Sequence, residues 1–201
     1  MTHLEPKADP IADPIAAVSA WNIANALTIL RMLLVPFFAA ALFHGSGHSG
    51  SWRVVGCTIF VVASLTDLID GDVARKRGLI TEFGKLADPI ADKALIGTAL
   101  VSLSMLHDLA WWVTSLILVR EIGVTLLRFW VIRHGVIPAS RGGKVKTMLQ
   151  ALAIGLLVLP LSGAWHAVAT VVMMAAVILT MITGLDYILR ALALRRTSAG
   201  A

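Results

Sequence analysis

Residues 67–92 read DLIDGDVARKRGLITEFGKLADPIAD, the end of one apolar helix-length run, a basic connector, and the start of the next run. Four aspartates, Asp67, Asp70, Asp88 and Asp92, therefore sit in segments that otherwise read as membrane-buried helix. A carboxylate near the centre of such a helix costs roughly 2.5–3.5 kcal/mol on insertion scales, so four of them call for a compensating cation. Asp67, Asp70, Gly71 and Ala74 recur at i, i+3, i+4, i+7 and share one helix face, with Arg75 continuing the stripe. Gly84, Asp88 and Asp92 recur at i, i+4, i+8 on the following segment, drifting by about 80°. Two facing helices then present four carboxylates to one cavity. Hard oxygen ligands, with no thiolate nearby and no histidine in the stretch, suit magnesium or manganese rather than zinc, and two ions sharing bridging carboxylates are expected.

Local sequence alone does not make this site, because the hexapeptide Ala-Asp-Pro-Ile-Ala-Asp occurs at 8–13 as well as at 87–92. In the first copy Pro6, Pro10 and Pro14 deny a regular helix, so Asp9 and Asp13 read as solvated tail. In the second, Pro89 is expected in the first turn of a helix with Asp88 just before it, where the missing N–H costs nothing.

With 58% hydrophobic residues in 201 and a mean hydropathy of +0.84, the chain is too apolar for a soluble domain and reads as a single integral membrane domain. Lys7 stands against Glu5, Asp9 and Asp13, so a cleavable basic leader is not expected. The lone Cys57 excludes an intrachain disulfide and reads as core packing.

Windows of about 20 apolar residues give roughly six transmembrane spans, near 26–43, 53–74, 85–105, 111–132, 145–161 and 165–189. The expected fold is an all-α integral membrane bundle, with a short interfacial helix over 15–21 anchored by Trp21. Residues 1–14 and 194–201 read as tails around a domain over 15–193. Basic residues cluster at Arg75, Lys76 and Arg77, at Arg133, Arg141, Lys144 and Lys146, and at Arg190, Arg195 and Arg196. The positive-inside rule places those connectors and both termini in the cytoplasm. Net charge +5 and a pI near 9.9 then reflect topology and an anionic lipid surface, and nucleic-acid binding is not expected. The four aspartates fall at similar depth, on the order of 10 Å below the cytoplasmic surface of the inner or plasma membrane.

The pattern D-x2-D-G-x2-A-R-x8-G-x3-D-x3-D, met at Asp67, Asp70, Gly71, Ala74, Arg75, Gly84, Asp88 and Asp92, resembles the signature of the CDP-alcohol phosphotransferases at all eight fixed positions. The resemblance implies a CDP-linked donor that loses CMP when an acceptor hydroxyl attacks the phosphorus bearing the donor alcohol. It implies Asp67, Asp70 and Asp88 as ligands of Mg2+ or Mn2+, and Asp92 as the base that deprotonates the hydroxyl while touching the second ion. It places the nucleotide against Gly71, Ala74 and Gly84, with Arg75 on the phosphates. Small-residue helix packing is the competing reading of the glycines and alanine.

Beyond the signature, Asn22 to Thr28 with Arg31, Arg120-Glu121-Ile122 through Arg128, and Gly143 to Thr147 are similar to family members whose acceptor is sn-glycerol 3-phosphate. Ala24 replaces the usual proline of the first motif, and Leu68 an aromatic often found after the first aspartate. The implied partners are CDP-diacylglycerol, sn-glycerol 3-phosphate, membrane lipids and a second copy of the chain. Arg120 and Glu121, inside an apolar run, require an ion pair or a substrate contact. Arg128, Lys144 and Lys146, with Arg120, are the expected acceptor-phosphate residues, and topological anchoring is the other reading of the lysines. His44, His48, His107, His134 and His166 read as interface residues and none is assigned to metal. The same chemistry with inositol phosphate or phosphatidylglycerol as acceptor is the alternative, and an ion or proton transporter using intramembrane carboxylates is the rival from another class.

Overall fold

The computed structural model describes residues 23–77, 82–131 and 141–199, with side chains described except at 24, 68–77, 82–86, 128–131, 141–142, 144 and 194–199. The described residues form α1 (Ile23–Phe43), a 3-10 turn (His44–Gly47), α2 (Gly50–Arg77), α3 (Glu82–Met105), α4 (Trp111–Val131), α5 (Arg141–Val158) and α6 (Ala164–Ala199), with no strand among them. The expected interfacial helix over 15–21 lies outside the described residues.

Each apolar block became a helix, and the helices run past the blocks where charge begins. α2 continues through Ala74 and Arg75 to Arg77, and α5 starts at Arg141 rather than near 145. Charge lowers the hydropathy of a window without lowering helix propensity, since Arg and Lys are good helix formers. One placement needs correction. α3 begins at Glu82, so Pro89 lies inside the helix rather than in its first turn. Its missing N–H leaves the carbonyl four residues earlier without a helical donor.

Among the described residues, two helices, covering Asn25–Gly47 and Ala164–Ala193, are long and apolar enough to cross a membrane. α2, α3 and α4 carry the charged residues in their interiors, which lowers their hydropathy. Large apolar side chains such as Phe37, Val119, Met148, Trp165 and Val171 face outward, a surface suited to lipid tails. Inside, Phe38, Phe60, Leu100, Leu103, Ile117, Ile154 and Met173 make the core, and the rings of Phe38 and Phe60 pack tilted at 5.7 Å. Cys57 lies in the same core, its thiol directed at the Gly155 carbonyl at 3.6 Å.

α1 packs against both α2 and α3, α6 against both α4 and α5, and α5 also meets α2 and α3. At the end where α1 turns into α2, Gly47 has φ +81°, a left-handed conformation that favours glycine, and a Cβ there would also have to displace the end of the Leu106 side chain. Buried Arg53 ties this end together. Its Nε donates to the Gly47 carbonyl at 2.9 Å and its Nη1 to the Leu157 carbonyl at 3.4 Å, while Nη2 pairs with Asp108 in the α3–α4 turn. The site aspartates lie toward the other ends of α2 and α3.

Candidate active site

Asn25, Thr28 and Arg31 recur every third residue along α1 and share its buried face. Because α1 lies against two helices, that face reaches a carboxylate on each. Arg31 Nη1 donates to Asp67 Oδ1 on α2 at 2.5 Å, with the arginine side chain 0% exposed and the aspartate 37%. Thr28 Oγ1 donates to Asp88 Oδ1 on α3 at 2.5 Å. In both aspartates Oδ2 accepts nothing from a described residue.

Asp92 sits one turn beyond Asp88 on α3. It is within electrostatic reach of Asp67, Arg31, Lys93 and Glu121, which places it between the α1-pinned pair and the charges of α4. Among the described residues it has no hydrogen-bond or ion-pair partner. Its side chain lines a cavity of about 140 Å³ between α3, α4 and α5, together with Lys93, Glu121, Lys146, Thr147 and Gln150.

The wall of that cavity is a charge network. Glu121 Oε1 accepts from Arg120 Nη1 at 3.0 Å and pairs with Lys146 Nζ, linking α4 to α5. Arg120 Nη2 donates to Thr183 Oγ1 on α6 at 2.9 Å. The arginine stem lies across Gly184, where an added Cβ would stand 3.1 Å from its Cγ and Nε. Arg120 therefore faces α6 behind the cavity rather than into it, and Lys146, 5% exposed, is engaged by a carboxylate.

Of the residues singled out from the sequence, Asp67, Asp88 and Asp92 gather around α1, and Lys146 reaches the adjoining cavity. The side chains of Asp70, Gly71, Ala74, Arg75, Gly84, Arg128 and Lys144 lie outside the described residues, although their backbones are helical in α2, α3, α4 and α5. No three His, Cys, Asp or Glu side chains among the described residues converge tightly enough to hold a metal by themselves. Sequence reasoning gave no role to Thr28, Arg31, Lys93 or Gln150. A signal for Arg31 was present, since a lone cation inside an apolar helix needs an anionic partner. Lys146 and Gln150, one turn apart, likewise share a helix face.

The family model for CDP-alcohol phosphatidyltransferase matches residues 21–182. The chain is 63% identical over 171 residues to a probable phosphatidylglycerophosphate synthase of Mycobacterium tuberculosis (strain H37Rv), covering 85% of this chain and 82% of that one. It is 39% identical over 171 residues to the CDP-diacylglycerol--glycerol-3-phosphate 3-phosphatidyltransferase of Rickettsia felis, covering 83% and 93%. The enzyme of the same name in Bacillus subtilis is 33% identical over 180 residues, again with 83% and 93% covered. The matched region runs from the segment before α1 into α6 and so takes in the helices that carry Asp67, Asp88, Asp92 and the cavity: the chain belongs to the CDP-alcohol phosphatidyltransferase family.

Proposed function

We propose that the chain transfers the phosphatidyl group of CDP-diacylglycerol to sn-glycerol 3-phosphate, giving phosphatidylglycerophosphate and CMP. The observation that carries this reading is the position of Asp92, which among the described residues has no hydrogen-bond or ion-pair partner, lies within electrostatic reach of Asp67 and lines a small cavity with two lysines. The acceptor hydroxyl oxygen forms a bond to the phosphorus that bears the diacylglycerol, the bond from that phosphorus to the CMP oxygen breaks, and Asp92 takes the hydroxyl proton. The relatives at 63%, 39% and 33% identity are named for this class of transfer.

The donor set fits a hard divalent cation, since it offers carboxylate oxygens and leaves Oδ2 of Asp67 and of Asp88 uncommitted. Asp67, Asp70, Asp88 and Asp92 would hold two Mg2+ or Mn2+ ions, which when bound neutralise the pyrophosphate and make CMP a better leaving group. Thr28 and Arg31 orient two of those carboxylates. Gly71, Ala74 and Gly84 give the nucleotide close access to backbone, with Arg75 on its phosphates. At the acceptor end Lys146 stands in the cavity wall, Arg128 and Lys144 belong to the same two helices, and Arg120 supports the wall through Glu121.

Residues 15–193 form the catalytic domain between tails 1–14 and 194–201, crossing the cell membrane six times with both termini and the site cytoplasmic, and the enzyme works as a homodimer among lipids. A small charged cavity suits a phosphorylated polyol better than a lipid acceptor such as phosphatidylglycerol. CMP release by the purified protein, given CDP-diacylglycerol, magnesium and each acceptor in turn, tests the reading. Glycerol 3-phosphate is expected to support it. Release with inositol phosphate or phosphatidylglycerol alone would reassign the acceptor, and none with any acceptor would favour a transporter.

A further inference from the structure

Two lysines line the cavity between α3, α4 and α5, and they differ in what they hold. Lys146 is buried and paired with Glu121, which also takes Arg120. Lys93 is partly exposed, and among the described residues it has no carboxylate within ion-pair distance and no hydrogen bond. It is also no connector residue, lying roughly 16 Å along α3 from Glu82 at 1.5 Å per residue. Asp92 and Glu121 feel its charge through space without pairing with it, so a lysine so placed in an apolar helix, facing a cavity with no direct ion pair among the described residues, is suited to an arriving anion. The other polar groups of the cavity fit the rest of a small polyol: Asp92 and Glu121 accept from hydroxyls, and Gln150 and Thr147 can donate or accept. A water needs on the order of 10–15 Å³ measured in this way, so the cavity has room for a ligand of about ten non-hydrogen atoms.

We infer that Lys93 is the cation that receives the phosphate of the acceptor, beside the base Asp92, and that Lys146 is a positioning residue whose charge is committed to Glu121. This rests on the function proposed above. Neighbouring positions on one helix then divide the acceptor between them, the phosphate on Lys93 and the reacting hydroxyl on Asp92.

The test uses the full-length protein in detergent with CDP-diacylglycerol and magnesium, comparing the wild type with Lys93→Gln, Lys93→Met and Lys93→Arg. Loss of a charge-assisted hydrogen bond to phosphate is expected to raise the glycerol-3-phosphate KM about ten- to a hundredfold in the Gln and Met variants. The CDP-diacylglycerol KM should move far less, and Lys93→Arg should recover most of the acceptor affinity. Inorganic phosphate should compete with glycerol 3-phosphate on the wild type and lose that competition on Lys93→Gln. An unchanged acceptor KM in a folded Gln or Met variant, or undiminished phosphate competition, overturns the assignment, and failure of both variants to fold would make Lys93 a folding residue instead. A wild type that releases no CMP with glycerol 3-phosphate overturns the proposed function itself, so the two failures are told apart by the unmutated protein.

Discussion

Each α1-pinned aspartate has one oxygen held and, among the described residues, one left open, and substitution should separate the two jobs. Asp67→Asn, Asp70→Asn and Asp88→Asn keep the shape and remove a charge, so metal-dependent CMP release should collapse. Asp92→Asn should lose turnover while retaining much of the donor binding, because what it removes is the proton acceptor. CMP release and CDP-diacylglycerol titration at saturating magnesium check both, and near-normal release from any variant would strip that residue of its role. Arg31→Met leaves Asp67 without its donor. Since Asp67 is 37% exposed, water compensates in part, and a loss of about 1–3 kcal/mol read from thermal unfolding in detergent is expected. The aspartate spacing was legible in the sequence because ligands on one helix must obey its period. The partners of Asp67 and Asp88 were not, since Thr28 and Arg31 lie 60 and 36 positions away and periodicity says nothing about which face meets which helix.

Among the elements, α4 is held from two sides: Glu121 joins it to α5 through Lys146, and Arg120 joins it to α6 through Thr183. Glu121→Gln and Lys146→Met should therefore be strongly non-additive, the double variant unfolding within about 0.5 kcal/mol of the worse single one, whereas independent residues would sum. The turn before α2 is less forgiving. Gly47→Ala combines a left-handed φ of +81° with a clash against the end of the Leu106 side chain, and should cost about 1–3 kcal/mol in the same unfolding measurement. Helix positions were readable from apolar block length alone, and their charged extensions were missed because hydropathy windows stop where charge starts. Pro89 was misplaced for a related reason: the residues before it, from Glu82, carry no apolar run to reveal that the helix had already begun.

For the whole molecule, the distribution of basic residues predicts that the connector after Arg77 faces the cytoplasm. A cysteine introduced there should stay unlabelled by an impermeant reagent applied to intact cells and react once the membrane is opened. Labelling from outside would invert the molecule and remove the site from its water-soluble substrate. At the far end, a single guanidinium, Arg53, joins the α1–α2 turn, the α3–α4 turn and the Leu157 carbonyl near the end of α5. One buried cation thus does for that rim what a keystone does for an arch: remove it, and three chain segments distant in sequence lose their common anchor.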